Sequence, residues 1–229
     1  MNKFAVIGLG HFGYAVAKSL ASRGAEVLAI DKDMDRIDLV KDDVAYAVTL
    51  DATDMRALSS QNVTDMDAVL VAIGENTEGL LMTTVQLLEL KVKRIIARAM
   101  SQQQRMILEK LGVKEILSPE DEVGKLVAES LLNPNMKAFL PLPDDYSIVE
   151  IKAPRRIINR PIEKIGFMNN YALDLIAIKR RYEEYDEGQK EFVRHLIDRP
   201  KPDTIIENAD ELIVMGKSYD LEKFVQLNS

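Results

Sequence analysis

Lys3-Phe4-Ala5-Val6-Ile7-Gly8-Leu9-Gly10-His11-Phe12-Gly13 is the stretch that decides the fold of this chain. Residues 3–7 read as a short buried strand. It runs into a G-x-G-x-x-G loop, an amphipathic helix, a second apolar strand over 27–30, and then Asp31. That order is the fingerprint of a dinucleotide-type βαβ unit. Gly8 permits the tight turn, Gly10 has no side chain to hold a phosphate off the backbone, and Gly13 lets the helix lie close on the strand. The free N–H groups at the helix start, backed by the positive end of its dipole, complete an anion site to which His11 and Phe12 also belong. A carboxylate at Asp31 can accept hydrogen bonds from ribose hydroxyls. It would also repel a 2′-phosphate, which disfavours NADP, an inference that the neighbouring Lys32 weakens slightly. The residues therefore predict adenine-nucleotide binding.

Outward from this unit, strand and helix keep alternating. The pattern predicts helices over 34–41, 55–60, 77–90, 102–111 and 119–132, and strands over 45–50, 68–73, 94–98 and 114–117. The strands are continuous apolar runs, so both faces are buried. The expectation is an α/β fold with a doubly wound, six-stranded parallel Rossmann-like sheet. Pro134, Pro141 and Pro143, among several turn formers, then break the pattern. The expected domains are a nucleotide-binding domain over 1–133, a linker over 134–145 and a smaller α+β domain over 146–229. In the second domain strands are expected over 147–152, 173–179 and 211–215, and helices over 160–165 and 219–226. Residues 181–202 read as a charged, solvated excursion with some helix over 190–196.

Composition removes other classes. The chain has 229 residues, a net charge of −7 and no cysteine. An acidic balance argues against a nucleic-acid partner. Without cysteine there are no disulfides and no thiolate-held zinc or iron–sulfur sites. No apolar run approaches the roughly 18 residues of a membrane span. Lys3, the apolar stretch after it and Ala15-Val16-Ala17 have the outline of a signal peptide, but His11 and three spaced glycines interrupt it, so the chain is expected to start inside its first domain.

Further stretches carry a resemblance: Asp51-Ala52-Thr53, Val71-Ala72-Ile73-Gly74, Ser118-Pro119-Glu120, Tyr146-Ser147-Ile148-Val149-Glu150-Ile151 and Leu212-Ile213-Val214-Met215-Gly216. With the glycine loop, they make the whole chain resemble the KtrA/TrkA-type bacterial potassium-transport regulators. Members pair an N-terminal RCK (regulator of potassium conductance, TrkA-N) domain with a C-terminal TrkA-C domain. The resemblance implies a non-enzymatic gating-ring subunit that binds ATP/ADP or NAD(H). It implies a homodimer assembling into a ring, an octamer, beneath a membrane potassium channel or transporter subunit of the KtrB/TrkH type. The implied location is cytoplasmic, peripheral at the inner face of the membrane. It also implies a divalent cation (magnesium or calcium) at the nucleotide phosphates and cyclic di-AMP at the C-terminal domain. Asn159, Arg160, Asn170 and Tyr171 are polar there, as ordinary surface residues are.

Several residues carry two readings. In Asp51-Ala52-Thr53-Asp54, Asp and Thr precede a helix as N-caps do, while the resemblance sets Asp51-Ala52-Thr53 beside the adenine; the two are compatible. Ile73 and Gly74 fall in the ligand crevice at the end of the fourth strand, or simply end that strand. Arg98, at the end of the fifth, suits either the phosphates or a surface ion pair. Ser118-Pro119-Glu120-Asp121 makes a good helix start by itself; the resemblance makes Glu120 a ligand of the cation at a neighbouring subunit's phosphates. His11 departs from the pattern, because relatives often place arginine there. Histidine is shorter and has no guanidinium fork, so a weaker or pH-dependent preference for ATP over ADP is expected. A small NAD-dependent oxidoreductase is the alternative function. It needs a proton donor or acceptor beside the nicotinamide, and the only histidines are His11 and His195. An NAD(H)-responsive module acting on a soluble partner is the third.

Overall fold

The computed structural model describes residues 2–132, 136–186 and 189–228. The chain divides into two compact units, residues 1–122 and 123–229.

In the first unit the elements are β1 (Lys3–Ile7), α1 (His11–Ser22), β2 (Glu26–Asp31), α2 (Met34–Val40), β3 (Tyr46–Thr49), α3 (Met55–Ser59), β4 (Ala68–Val71), α4 (Thr77–Glu89), β5 (Ile95–Arg98), α5 (Gln102–Lys110) and β6 (Glu115–Leu117), with α6 (Pro119–Leu132) beginning there and ending in the second unit. All six strands are parallel, in the order β3-β2-β1-β4-β5-β6. The strand order reverses between β1 and β4, and open sheets of this kind bind ligands at that point, beyond the carboxyl ends of the strands. Side chains alternate along each strand, and here both faces are filled. Ala5 and Ile7 pack with Leu58, Leu80, Leu87 and Leu108 on one side; Val6 packs with Ala17, Ala29, Ile37 and Leu70 on the other.

The second unit holds the rest of α6, then β7 (Met136–Pro141), β8 (Tyr146–Lys152), α7 (Ile162–Ile165), α8 (Phe167–Tyr171), β9 (Asp174–Asp186), β10 (Gln189–Asp198), β11 (Glu211–Lys217) and α9 (Ser218–Asn228). Its sheet is antiparallel, in the order β10-β9-β11-β8-β7. Ile151, Ile157, Phe167, Ile178, Leu212 and Phe224 are core residues, and the Phe224 ring lies 4.8 Å from that of Tyr171, edge to face.

Three expectations differ from this. The stretch 134–145 contains β7; its proline, Pro141, ends the strand opposite Ser147 instead of interrupting the ladder. Residues 134 and 135 of that stretch lie outside the described residues. Within the excursion at 181–202, residues 181–186 belong to β9 and 189–198 form β10, paired antiparallel, so 190–196 is strand, not helix; residues 187 and 188 lie outside the described residues. Beneath the charges runs strand chemistry: Val193 stands opposite Tyr182 and Ile197 opposite Ile178, pairs that favour a pleated ladder. Finally, α8 was not anticipated; it is five residues long, bounded by left-handed Gly166 and Ala172.

A buried ion pair ties β9 to the approach of β11. Asp210 is fully buried and accepts from Arg180 Nε at 2.9 Å and Nη2 at 2.8 Å, and from Glu207 N at 2.7 Å. Removing one partner would leave an uncompensated buried charge, a loss of about 3–5 kcal/mol. Asp210→Ala is therefore expected to destabilise the second unit by that order in urea unfolding; a loss below about 1 kcal/mol would show that the pair is replaceable.

Candidate functional site

The glycine loop lies at the switch point. Gly8 follows β1 with φ +93° and donates its N–H to the Ile30 carbonyl at 2.8 Å. A Cβ there would sit 2.9 Å from Ile73 N and 3.1 Å from the Ala72 carbonyl carbon, so the loop is pinned between β2 and the chain leaving β4. Gly13, in the first turn of α1, is held still more tightly: a Cβ would collide with the Gly8 carbonyl oxygen. Gly10 is different. The nearest atom to a Cβ on it is Arg36 Nη1, at 3.9 Å. Two glycines press α1 onto the sheet and the third leaves an opening.

That opening faces a helix end without a side-chain cap. Asp33, Asp54, Asn76 and Ser101 cap α2, α3, α4 and α5 with their own oxygens, whereas α1 starts at Gly10 with no such bond. The first amide of α1 to turn back is that of Tyr14, which donates to Gly10 O at 2.9 Å. The amides of His11, Phe12 and Gly13 precede it at the positive end of the helix. His11 and Lys32 are exposed and Phe12 is half-buried.

Asp31, 7% exposed, is bound to this loop. Its Oδ2 accepts from Leu9 N at 2.6 Å and its Oδ1 from Asp33 N at 3.0 Å. Arg36 Nη1 lies 3.6 Å from Oδ2. The carboxylate thus shapes the loop as well as standing at the strand end expected of a ribose acceptor.

Asp51, Ala52 and Thr53 follow β3 at the same end of the sheet. Asp51 Oδ1 accepts from Thr53 N at 2.9 Å and from the Thr53 hydroxyl at 2.7 Å. These bonds hold its carboxyl below the usual range, with Lys32 adding to the effect. The cap of α3 within this stretch is Asp54, which accepts from Arg56 N at 2.8 Å. Ala52 is buried, and Thr53 O accepts from Gln86 Nε2 at 3.3 Å.

The other wall comes from β4, β5 and the start of α6. A Cβ on Gly74 would meet Met100 Sδ at 2.7 Å and Arg98 Nη1 at 3.3 Å. Arg98 forms an ion pair with Glu120 and lies 5.2 Å from the centre of the Phe12 ring. Its buried Nε has no partner, an uncompensated donor in the crevice wall. The structure thus brings Phe12, Gly74, Arg98 and Glu120 together. Ser118 is buried and its hydroxyl accepts from Arg105 Nη2 at 3.0 Å.

Two residues of this site escaped the sequence. Gln104, buried, accepts from Met100 N at 2.7 Å and donates to Thr77 Oγ1 at 2.9 Å and Gly74 O at 3.4 Å, joining the ends of β4 and β5. Arg36 reaches back from the first turn of α2 over Gly10. Gln104 carries no signal within a run of three glutamines. Arg36 could have been found by asking which cation a helix after Asp31 turns toward the loop.

The crevice fits an adenine nucleotide: an opening at Gly10, uncapped amides and an unpartnered guanidinium N–H. A cation fits less well. Among the described residues no three histidine, aspartate or glutamate side chains cluster to hold a metal ion, and Glu120 is occupied by Arg98.

The Arg98 guanidinium holds the Glu120 carboxyl below its ordinary value of 4.5. A carboxyl depressed in the folded state adds stability above its unfolded pKa and loses it as pH falls through the folded one. Glu120 is half exposed, so the pair is worth up to about 1 kcal/mol. Comparing the unfolding of Glu120→Gln with the unsubstituted protein should show that difference at neutral pH and its disappearance in acid, once pH has fallen through the depressed folded-state value. A gap that persists in acid would contradict the ion pair as its source.

Comparison with known proteins bears on the family and the fold. The TrkA-N domain family matches residues 4–119. The chain is 33% identical over 223 residues to Ktr system potassium uptake protein C of Bacillus subtilis, covering 97% of this chain and 96% of that one. With Ktr system potassium uptake protein A of the same organism the identity is 32%, over 97% and 95% of the two chains. Among solved structures the RCK domain of GsuK superimposes with a TM-score of 0.63 at 14% identity, covering all of this chain and 48% of that one. The GsuK channel bound to NAD gives 0.61 at 14% identity, over 99% and 39%. At such identities the superpositions establish the fold, and this chain spans about half the length of those proteins or less. On the family match and near-full-length identity, the chain belongs to the KtrA/TrkA-type family of RCK proteins.

Proposed function

We propose that this chain is a regulatory subunit of a potassium uptake system, binding an adenine nucleotide at the glycine loop to control ion flux through a membrane subunit. The observation that carries the reading is the opening at Gly10. Gly8 and Gly13 are fixed by backbone contacts, and Gly10 alone leaves room beside uncapped helix amides. A diphosphate there meets N–H donors and the helix dipole. Asp31 receives ribose hydroxyls, and Asp51, Ala52 and Thr53 border the adenine. Ile73 and Gly74 floor the crevice, with Arg98 facing the phosphates. A divalent cation at Glu120 would require that carboxylate to leave Arg98 and to share the ion with phosphate oxygens.

The ligand acts by binding one shape of the assembly better than another; it shifts an equilibrium only by that difference. Support for assembly lies in uncovered apolar surface. On α6, Val123, Leu126, Val127 and Leu131 are 55%, 41%, 51% and 76% exposed, at the spacing of one helix face. The first unit also has an apolar groove lined by Phe4, Val6, Phe12, Leu70, Ile96 and Leu117. Such surfaces mark association; a homodimer, and from it a ring at the cytoplasmic face of the membrane, would cover them. Among the described residues no helix is long and apolar enough to cross a membrane.

Titration calorimetry with ADP, ATP and NADH is expected to show binding to the unsubstituted protein. Gly10→Val should fold, since its side chain points into open space, and lose at least about tenfold in affinity. Equal affinity in Gly10→Val would sink the loop as the site. For assembly, light scattering after gel filtration should give more than one chain per particle, and Val127→Glu should lower that number; a monomer before any substitution would refute it.

A further inference from the structure

We propose that Arg36 is the guanidinium that receives the nucleotide phosphate at Gly10, and that its departure from Asp31 opens that carboxylate to the ribose. This deepens the nucleotide reading above and rests on it.

Arg36 is the atom-level neighbour of the opening. Its Nη1 stands 3.9 Å from the Cβ position of Gly10, closer than any group beyond the adjoining residues Leu9 and His11. It is loosely held. Nη1 lies 3.6 Å from Asp31 Oδ2 and Nε 3.7 Å from Asp33 Oδ2, with the side chain 50% exposed. Charge-assisted hydrogen bonds are about 2.7–2.9 Å long, so both contacts are solvent-screened ion pairs that are cheap to leave. Two other cations stand nearby. Arg98 on the opposite wall already carries an ion pair with Glu120 against the Phe12 ring, and Lys32 is exposed. His11 is exposed, but an imidazole cannot offer the two-pronged grip on a phosphate that a guanidinium does.

The exchange follows from counting acceptor sites. A carboxylate offers about four. In Asp31, Leu9 N takes one on Oδ2 and Asp33 N one on Oδ1, and Arg36 approaches the same oxygen as Leu9. A ribose hydroxyl must find its place on this 7%-exposed group. When a phosphate arrives over Gly10, Arg36 gains a stronger partner within a short swing of its side chain and vacates Oδ2. Phosphate and ribose recognition are then coupled through one side chain.

The test is calorimetric titration of the full-length protein with ADP and with adenosine, for the unsubstituted chain, Arg36→Ala and Arg36→Lys. Arg36→Ala should weaken ADP binding about tenfold to a hundredfold, the worth of a hydrogen bond to a charged group. Adenosine should bind it as well as or better than before, and Arg36→Lys should recover part of the ADP affinity. Thermal unfolding of each variant checks that it is folded; should Arg36→Ala not fold, Arg36→Gln takes its place with the same expectation. Unchanged ADP affinity overturns the proposal, and so does an equal loss for ADP and adenosine, which would make Arg36 a prop for Asp31. If the unsubstituted protein binds neither molecule, the nucleotide reading itself fails and this inference falls with it.

Discussion

The carbonyl of Gly8 lies where any side chain at position 13 would have to go. This close approach of loop to helix fixes everything downstream of β1. It presses α1 onto the sheet at the β1–β4 switch point and directs the first amides of that helix toward the crevice. It also sets Leu9 so that its N–H meets Asp31 across the loop at 2.6 Å. An ordinary residue at 13 would lift α1 away, and the opening above Gly10 would lose its floor.

From that constraint comes a division of labour in polar groups. Four helices of the first unit close their own amino ends with side-chain oxygens, and α1 does not. Around the uncapped end the charges are arranged in pairs: Asp31 with Arg36, Glu120 with Arg98. Each pair neutralises itself, and each contains a cation that a phosphate could draw away. A crevice built in this way leaves neither Asp31 nor Glu120 unpaired. In the proposed function, the ligand's phosphates would draw on charges already present in the crevice.

The parallel sheet was legible because burial on both faces leaves no ambiguity of period. Val6 and Ile7 are both apolar because one faces α1 and the other α4, and the same holds for Ala29 and Ile30 on β2. The glycines and Asp31 were legible because each answers a steric or charge demand at a fixed distance from the strand end. The ribbon at β9–β10 was not, because its apolar positions, among them Tyr182, Val193 and Ile197, are diluted by charges that resemble a solvated loop. Strand β7 was hidden by prolines that mark its end, not a linker. Arg36 and Gln104 escaped for a different reason. Their importance comes from what lies across the loop or the strand ends, and local sequence does not record that. Within Asp51-Ala52-Thr53-Asp54 the capping role falls to Asp54, the residue directly before α3, because the Asp51–Thr53 turn absorbs the oxygens and hydroxyl of the other two.

The most direct measurement is a crystal structure of the full chain grown with ADP. The account predicts diphosphate density at the amides of His11, Phe12 and Gly13, the ribose at Asp31, and the Arg36 side chain turned from Asp31 to the phosphate. Density for the nucleotide away from the glycine loop, or none at saturating ADP, would contradict it.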